Sequence, residues 1–204
     1  MREGPIDGQP ERSVAATKSF VASLAAVLRL VASWAEDDRL AAALDRLPQR
    51  VAAAAELDWG AALDTLAGAP SLITIGRGPT LAIAREAALK LKEVANLHAE
   101  AFSSAEFLHG PVTLVSNRYP ILVLLPSDEA AAGVRRLVAD LGATGAALFA
   151  ACPGGALPVL AADHPEADAI CLIQSFYAMA ARLAARLGID PDRPRHLQKV
   201  TRTR

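Results

Sequence analysis

Apolar residues recur at three- and four-residue intervals through the first third of the chain and gather into short unbroken runs beyond residue 70. Val14, Phe20, Val21, Leu24, Val27, Leu28, Val31 and Trp34 keep the helical spacing. They predict one long helix from near Ser13 to the acids Glu36, Asp37 and Asp38. Helices are also expected over 38–46 and 49–57, with Pro48 as the break, and over 59–67, stopped by Gly68. Residues 1–12, rich in Gly and Pro, read as an irregular lead-in. From residue 71 the pattern changes. SLITI at 71–75, ILVLL at 121–125 and GAALFAA at 145–151 predict buried strands, with a weaker fourth over 157–160. A long helix is expected after Gly76-Arg77-Gly78-Pro79, and others over 127–141 and 165–187, the last stopped by Gly188. Short apolar strands alternating with helices predict an α/β fold: a three-layer αβα sandwich around a parallel sheet.

One segment breaks the apolar monotony. IAREAALKLKEVANLHAEAFSSAEFLHGP, residues 83–111, places Glu86, Lys90 and Glu93 along one helix face and follows them with His98, Glu100 and His109. Residues on a helix advance by about 100° each, so position 90 lies about 40° from position 86. Position 93 lies about 20° to the other side. Ala87, Ala88, Leu89 and Leu91 supply the buried wall, and Lys92 points to solvent. An isolated Glu-to-Lys pair four residues apart is an ordinary surface feature worth a few tenths of a kcal/mol. The run of acids, lysine and histidines beyond it suits proton transfer and the holding of an anion.

The remaining composition mostly excludes. Net charge is -1 and aromatics make up 4 % of the residues, so neither electrostatics nor stacking argues for nucleic acid. The longest apolar stretch, Phe20 to Trp34, is broken by Arg29 and falls short of a membrane span of about 20 residues. No His, Cys, Asp or Glu spacing suggests a metal, and no cofactor motif is present. Cys152 and Cys171 stand far apart in apolar context and read as buried thiols in a reducing cytoplasm. The amino terminus has no apolar h-region, in keeping with that location. Gly76-Arg77-Gly78 ends a predicted strand. It fits a phosphate-approaching turn, and a tight strand-to-helix turn explains it equally well. Residues 190–200, stiff with proline and rich in charge, read either as a frayed end or as an arm that folds over a site and delivers Lys199.

Three stretches resemble the sugar isomerase (SIS) domain family. They are VAATKSF at 14–20, GRGPTLAIAREAALKLKEVANLHAEAFSSAEFLHGP at 76–111 and DPDRPRHLQKVT at 190–201. More narrowly, they resemble the isomerase half of glutamine–fructose-6-phosphate aminotransferase and the SIS-type glucosamine-6-phosphate deaminases. The resemblance implies a flavodoxin-like sheet and a site for a phosphorylated sugar or amino sugar. It implies that Glu93 shuttles a proton between C1 and C2 of the open-chain sugar, and that His109 opens the ring, reaching the site of a neighbouring subunit in a homodimer. It further implies that Lys199 forms a Schiff base with a ketose carbonyl, that Glu86 and Lys90 support the substrate, and that Val14 and Ala15 line the sugar through backbone groups. Against the family pattern, residues 1–66 read as the helical end of a truncated first SIS subdomain, 67–189 as a SIS domain and 190–204 as the tail carrying the lysine. A missing Ser/Thr-rich phosphate loop leaves a non-catalytic phosphosugar-binding module, or an inactive paralogue, as the alternative to an enzyme. The helix at 13–35, left without its own sheet, is expected to expose a sticky patch or to drive oligomerisation.

Overall fold

The computed structural model describes residue 11 and residues 13–199. Most of the expected lead-in, and the residues after Lys199, lie outside the described residues. Two helices open the fold, α1 (Lys18–Trp34) and α2 (Asp38–Ala55), followed by a 3-10 turn (Gly60–Ala62) and a short α3 (Leu63–Ala67). Four strands then alternate with helices: β1 (Ser71–Gly76), α4 (Pro79–Ala95), β2 (His98–Ser103), α5 (Ser104–Phe107), β3 (Pro120–Leu124), α6 (Ala131–Gly142), β4 (Ala147–Ala151) and α7 (Pro165–Arg186). The sheet is wholly parallel, in the order β2-β1-β3-β4.

The strands are apolar because both faces are covered. Leu72, Leu122, Leu124, Phe149 and Ala151 pack on one side with α4, α7 and α3. Ile73, Ile75, Ile121, Val123 and Ala150 pack on the other with α6 and Phe107 of α5. The three-layer αβα sandwich expected from the sequence is therefore present. α1 and α2 cover the outer side of α7, where Leu40, Leu44 and Leu47 meet Ala167, Ile170 and Cys171.

Four local expectations change. The break at Pro48 is absent, and α2 runs through it. Proline lacks the N–H that would bond to the carbonyl four residues back. That carbonyl, Leu44 O, instead accepts from Arg29 Nη2 on α1 (3.3 Å). The buried stripe of Leu44, Leu47 and Ala54 continues on both sides of the proline and carries the helix through it. Residues 98–103, expected at a helix end, form the edge strand β2. Asn96, left-handed at φ 50°, stops α4 and turns the chain. The alternating HAEAFS then pairs along β1 from Ser71↔His98 to Gly76↔Ser103. The expected strand over 157–160 reduces to one bridge between Ala151 and Leu157. Finally, α1 begins at Lys18 rather than near Ser13. Glu11 substitutes for a cap there, its Oε2 accepting from the backbone N–H groups of Thr17 (3.1 Å) and Ser19 (3.0 Å).

Among the described residues, no helix is long and apolar enough to cross a membrane. On α1, Val27, Leu30, Val31 and Trp34 stand exposed at one-turn spacing, Trp34 at 86 %. Such a contiguous stripe marks a contact surface. The chain is therefore expected to bind an apolar fluorescent dye and to elute larger than a monomer. Leu30→Gln with Trp34→Gln should abolish both without lowering the melting temperature. A monodisperse, dye-silent wild-type chain would contradict this reading of the stripe.

Candidate active site

α4 starts at the carboxyl end of β1 through an unusually close turn. A Cβ placed on Gly76 would meet Thr80 O at 2.2 Å, so only glycine allows this approach. Gly78 takes φ 55°, and Pro79 opens the helix. The Thr80 hydroxyl, fully buried, accepts from Arg77 N (3.0 Å) and lies 2.8 Å from Leu124 O, to which it donates. One amide of the GRGP turn is thus already used, which favours the tight-turn reading over phosphate binding.

The turn seats α4 between the sheet and α7, and its inward face carries the polar cluster. Lys90 is 4 % exposed, and its Nζ lies 2.7 Å from Glu93 Oε2 and 3.3 Å from Glu86 Oε1. Burying an ammonium is costly unless partners compensate it, and here two carboxylates do. Glu86 accepts a further hydrogen bond from the Tyr177 hydroxyl of α7 at 2.8 Å. Burial pushes the Glu86 carboxyl above the usual glutamate range. Tyr177 and Lys90 pull it back in part, and Glu93 adds to the rise. The Tyr177 hydroxyl is pushed far up by its own burial, then by the negative charges of Glu86, Glu11 and Glu93. Glu93 is the more accessible acid on α4, its side chain 20 % exposed against 8 % for Glu86.

The amino- and carboxyl-terminal segments meet each other. Ala15 is buried in the same core as Ala87, Leu91 and Phe176. Val14 is half-buried next to it. Lys199 Nζ donates to Ser13 O, and Ser13 Oγ donates to Pro191 O (3.5 Å). The tail therefore folds back as an arm onto Ser13. His109 stands apart. It is exposed in the turn after α5, whose Phe107 packs on the face of the sheet opposite α4. Within one chain the fold draws Glu86, Lys90 and Glu93 into one cluster and brings Lys199 onto Ser13, next in sequence to Val14 and Ala15, while His109 joins neither group. His98 and Glu100 are exposed along β2. Among the described residues, no group of three His, Cys, Asp or Glu is arranged to hold a metal ion.

Sequence reasoning missed Tyr177 and Glu11. Tyr177 sits in an apolar helix without a local motif. The signal available was one of two tyrosines in a chain otherwise built of small aliphatic residues. Glu11 lies in the proline-rich lead-in, where nothing local predicts its reach to α1.

Residues 65–153 match the SIS domain model. The chain carries a SIS domain. It is 32 % identical over 217 residues to the glutamine–fructose-6-phosphate aminotransferase of Caulobacter vibrioides, covering 96 % of this chain and 36 % of that protein. With the aminotransferase of Gluconobacter oxydans the identity is 34 % over 224 residues, covering 95 % and 35 %. The chain thus spans about a third of the length of these curated relatives. Among solved structures it superposes on a provisionally named phosphosugar isomerase from Silicibacter pomeroyi with a TM-score of 0.86 and 46 % identity, over 92 % of this chain and 58 % of that one. The fold is also that of glucosamine-6-phosphate deaminase from Thermotoga maritima, with a TM-score of 0.72 and 23 % identity over 94 % and 58 % of the two chains.

The cluster makes a stability prediction. A carboxyl whose folded pKa is raised binds more protons folded than unfolded, so its contribution to stability falls as pH rises above about 4.3. Lys90 opposes that fall by compensating the ionised Glu86. Lys90→Met should therefore lower the unfolding free energy by about 3 kcal/mol at neutral pH. The loss should be smaller near pH 4.5, where Glu86 retains its proton more readily. Urea melts at the two pH values check this, and an equal loss at both would contradict it.

Proposed function

We propose that this chain works on a phosphorylated amino sugar, converting glucosamine 6-phosphate to fructose 6-phosphate and ammonia or running the related aldose–ketose exchange. The observation that carries this reading is the Glu86–Lys90–Glu93 cluster, with Glu93 its more accessible acid; the Lys199 arm, folded onto Ser13, supports it. In this scheme Glu93 removes the proton from C2 of the open-chain aldehyde and returns one to C1. The C1 oxygen gains a proton and becomes a hydroxyl, and the C2 amine becomes an imine. Water then hydrolyses the imine, releasing ammonia and leaving the ketose. Lys199 supplies an amine that condenses with the C2 carbonyl in the ketose direction. Lys90 holds Glu93 in place, and Glu86 holds Lys90.

His109 would act in a second copy, opening the sugar ring across a homodimer. Its exposed position on the far face of the sheet favours a second reading for a lone chain: phosphosugar binding without turnover. We infer a cytoplasmic location from the same chemistry, whose substrates are intracellular phosphates.

Glu93→Gln should cut ammonia release from glucosamine 6-phosphate by at least about 100-fold, while calorimetry still detects binding. Borohydride with fructose 6-phosphate should add the sugar mass to Lys199. Mixing Glu93→Gln with His109→Asn chains should restore part of the activity if His109 serves a neighbour. Unchanged turnover in Glu93→Gln would refute the assignment. Binding without turnover in the wild type would select the second reading.

A further inference from the structure

The three charged members of the α4 cluster share one helix, and the group that bonds them from outside is Tyr177 of α7. Small residues let the two helices pack: Ala84, Ala87 and Ala88 of α4 are buried in one core with Phe176 and Ala180 of α7. The contacts then run in series. The Tyr177 hydroxyl donates to Glu86 Oε1 (2.8 Å), Lys90 Nζ lies 3.3 Å from that same oxygen, and Lys90 donates to Glu93 Oε2 (2.7 Å). Glu93 Oε1 has no hydrogen-bond partner among the described residues. No residue of this relay lines the apolar cavity of about 240 Å³ at the carboxyl ends of β3 and β4, so its readouts are independent of that cavity.

Glu86 is the link that can break. It is buried, and burial favours its neutral form. Tyr177 and Lys90 favour the ionised form, and Glu93 opposes it. Glu11 acts on Tyr177. The strands beneath α4 face it with Leu72, Thr74, Ala99, Leu122 and Leu124, none of which titrates. A protonated Glu86 no longer compensates an ammonium. Lys90 would then keep Glu93 as its one anionic partner and swing onto both of its oxygens.

We propose that Tyr177 is a positioning residue for Glu93, acting through Glu86 and Lys90: its hydroxyl keeps Glu86 a partner of Lys90, which leaves Glu93 Oε1 free to take the substrate proton. This role rests on Glu93 being the base, as proposed above. It names Oε1 as the reacting oxygen and makes the packing of α7 on α4 a control on the site.

The test follows the side-chain carboxyls of Glu86 and Glu93 by ¹³C NMR from about pH 4 to about pH 10. It uses the full 204-residue chain with and without Tyr177→Phe, beside the pH profile of ammonia release from glucosamine 6-phosphate. Tyr177→Phe should raise the titration midpoint of Glu86 by about one pH unit or more. The Glu93 carboxyl resonance should move at that same midpoint. At neutral pH kcat should fall at least about tenfold with KM within about twofold, and the deficit should close as pH rises and Glu86 ionises unaided. Glu86→Gln should lower kcat to a similar extent with no alkaline recovery. Adding Tyr177→Phe to it should cost no more than about twofold further. A packing role alone would instead lower kcat evenly across pH and add to the Glu86→Gln loss. That result overturns the proposal, as does a Glu93 resonance in Tyr177→Phe that titrates as in the wild type. If the wild-type chain releases no ammonia, the proposed activity fails, and the carboxyl titrations still decide the relay: coupled Glu86 and Glu93 uphold it, and uncoupled ones overturn it. Should Tyr177→Phe not fold, Glu86→Gln, in which the phenol keeps a partner, must shift the Glu93 resonance, and an unmoved resonance overturns the proposal.

Discussion

Lys90 sits in the protein interior as an ammonium between two carboxylates, and the architecture around it is arranged to keep it there. A buried charge is tolerated only with partners in close geometry. Glu86 and Glu93 supply them from the same helix, one turn to either side. The arrangement needs α4 to be pressed between the sheet and α7, because only then are both acids and the lysine withdrawn from water together. Tyr177 ties the far side by bonding Glu86 from α7. The cluster is therefore a property of two helices in register, not of one.

That register begins in the turn after β1. Gly76 lets the backbone of α4 approach closer than any side chain allows, and Thr80 pins the turn to the end of β3. The same parallel strands direct the other connections. β3 and β4 end beside α7 and leave the apolar cavity, and β2 carries the chain to α5 on the far face. The fold thus carries three distinct surfaces: the charged cluster on α4, the cavity at the strand ends, and His109 beyond the opposite layer.

Much of this was legible from residue patterns. The apolar runs at 71–75 and 121–125 are strands because both faces are buried, and unbroken apolarity signals that condition directly. The spacing of Glu86, Lys90 and Glu93 placed them on one helix face, as found. Other features depended on distant partners. Pro48 lies within a helix because Arg29, 19 positions earlier in sequence, satisfies the carbonyl that the proline leaves free. β2 is a polar edge strand whose alternation is too short to outweigh the helical pattern before it. Tyr177 joins the cluster through a bond to Glu86, 91 positions away, and Glu11 reaches from the lead-in to Thr17 and Ser19 at the start of α1. The two cysteines, read as separate buried thiols, share one cavity, and Cys152 is only half-buried. Local chemistry predicted elements well, and it missed the groups whose role is set by a neighbour from another element.

The most direct measurement is a crystal structure of the chain with a reduced, open-chain hexitol 6-phosphate that mimics the extended sugar. The account predicts the C1–C2 end of that ligand within hydrogen-bond reach of Glu93, between α4 and the arm bearing Lys199, with Lys90 still clamped by both acids. A ligand lodged at the carboxyl ends of β3 and β4, or an α4 cluster that contributes nothing to it, would contradict the account.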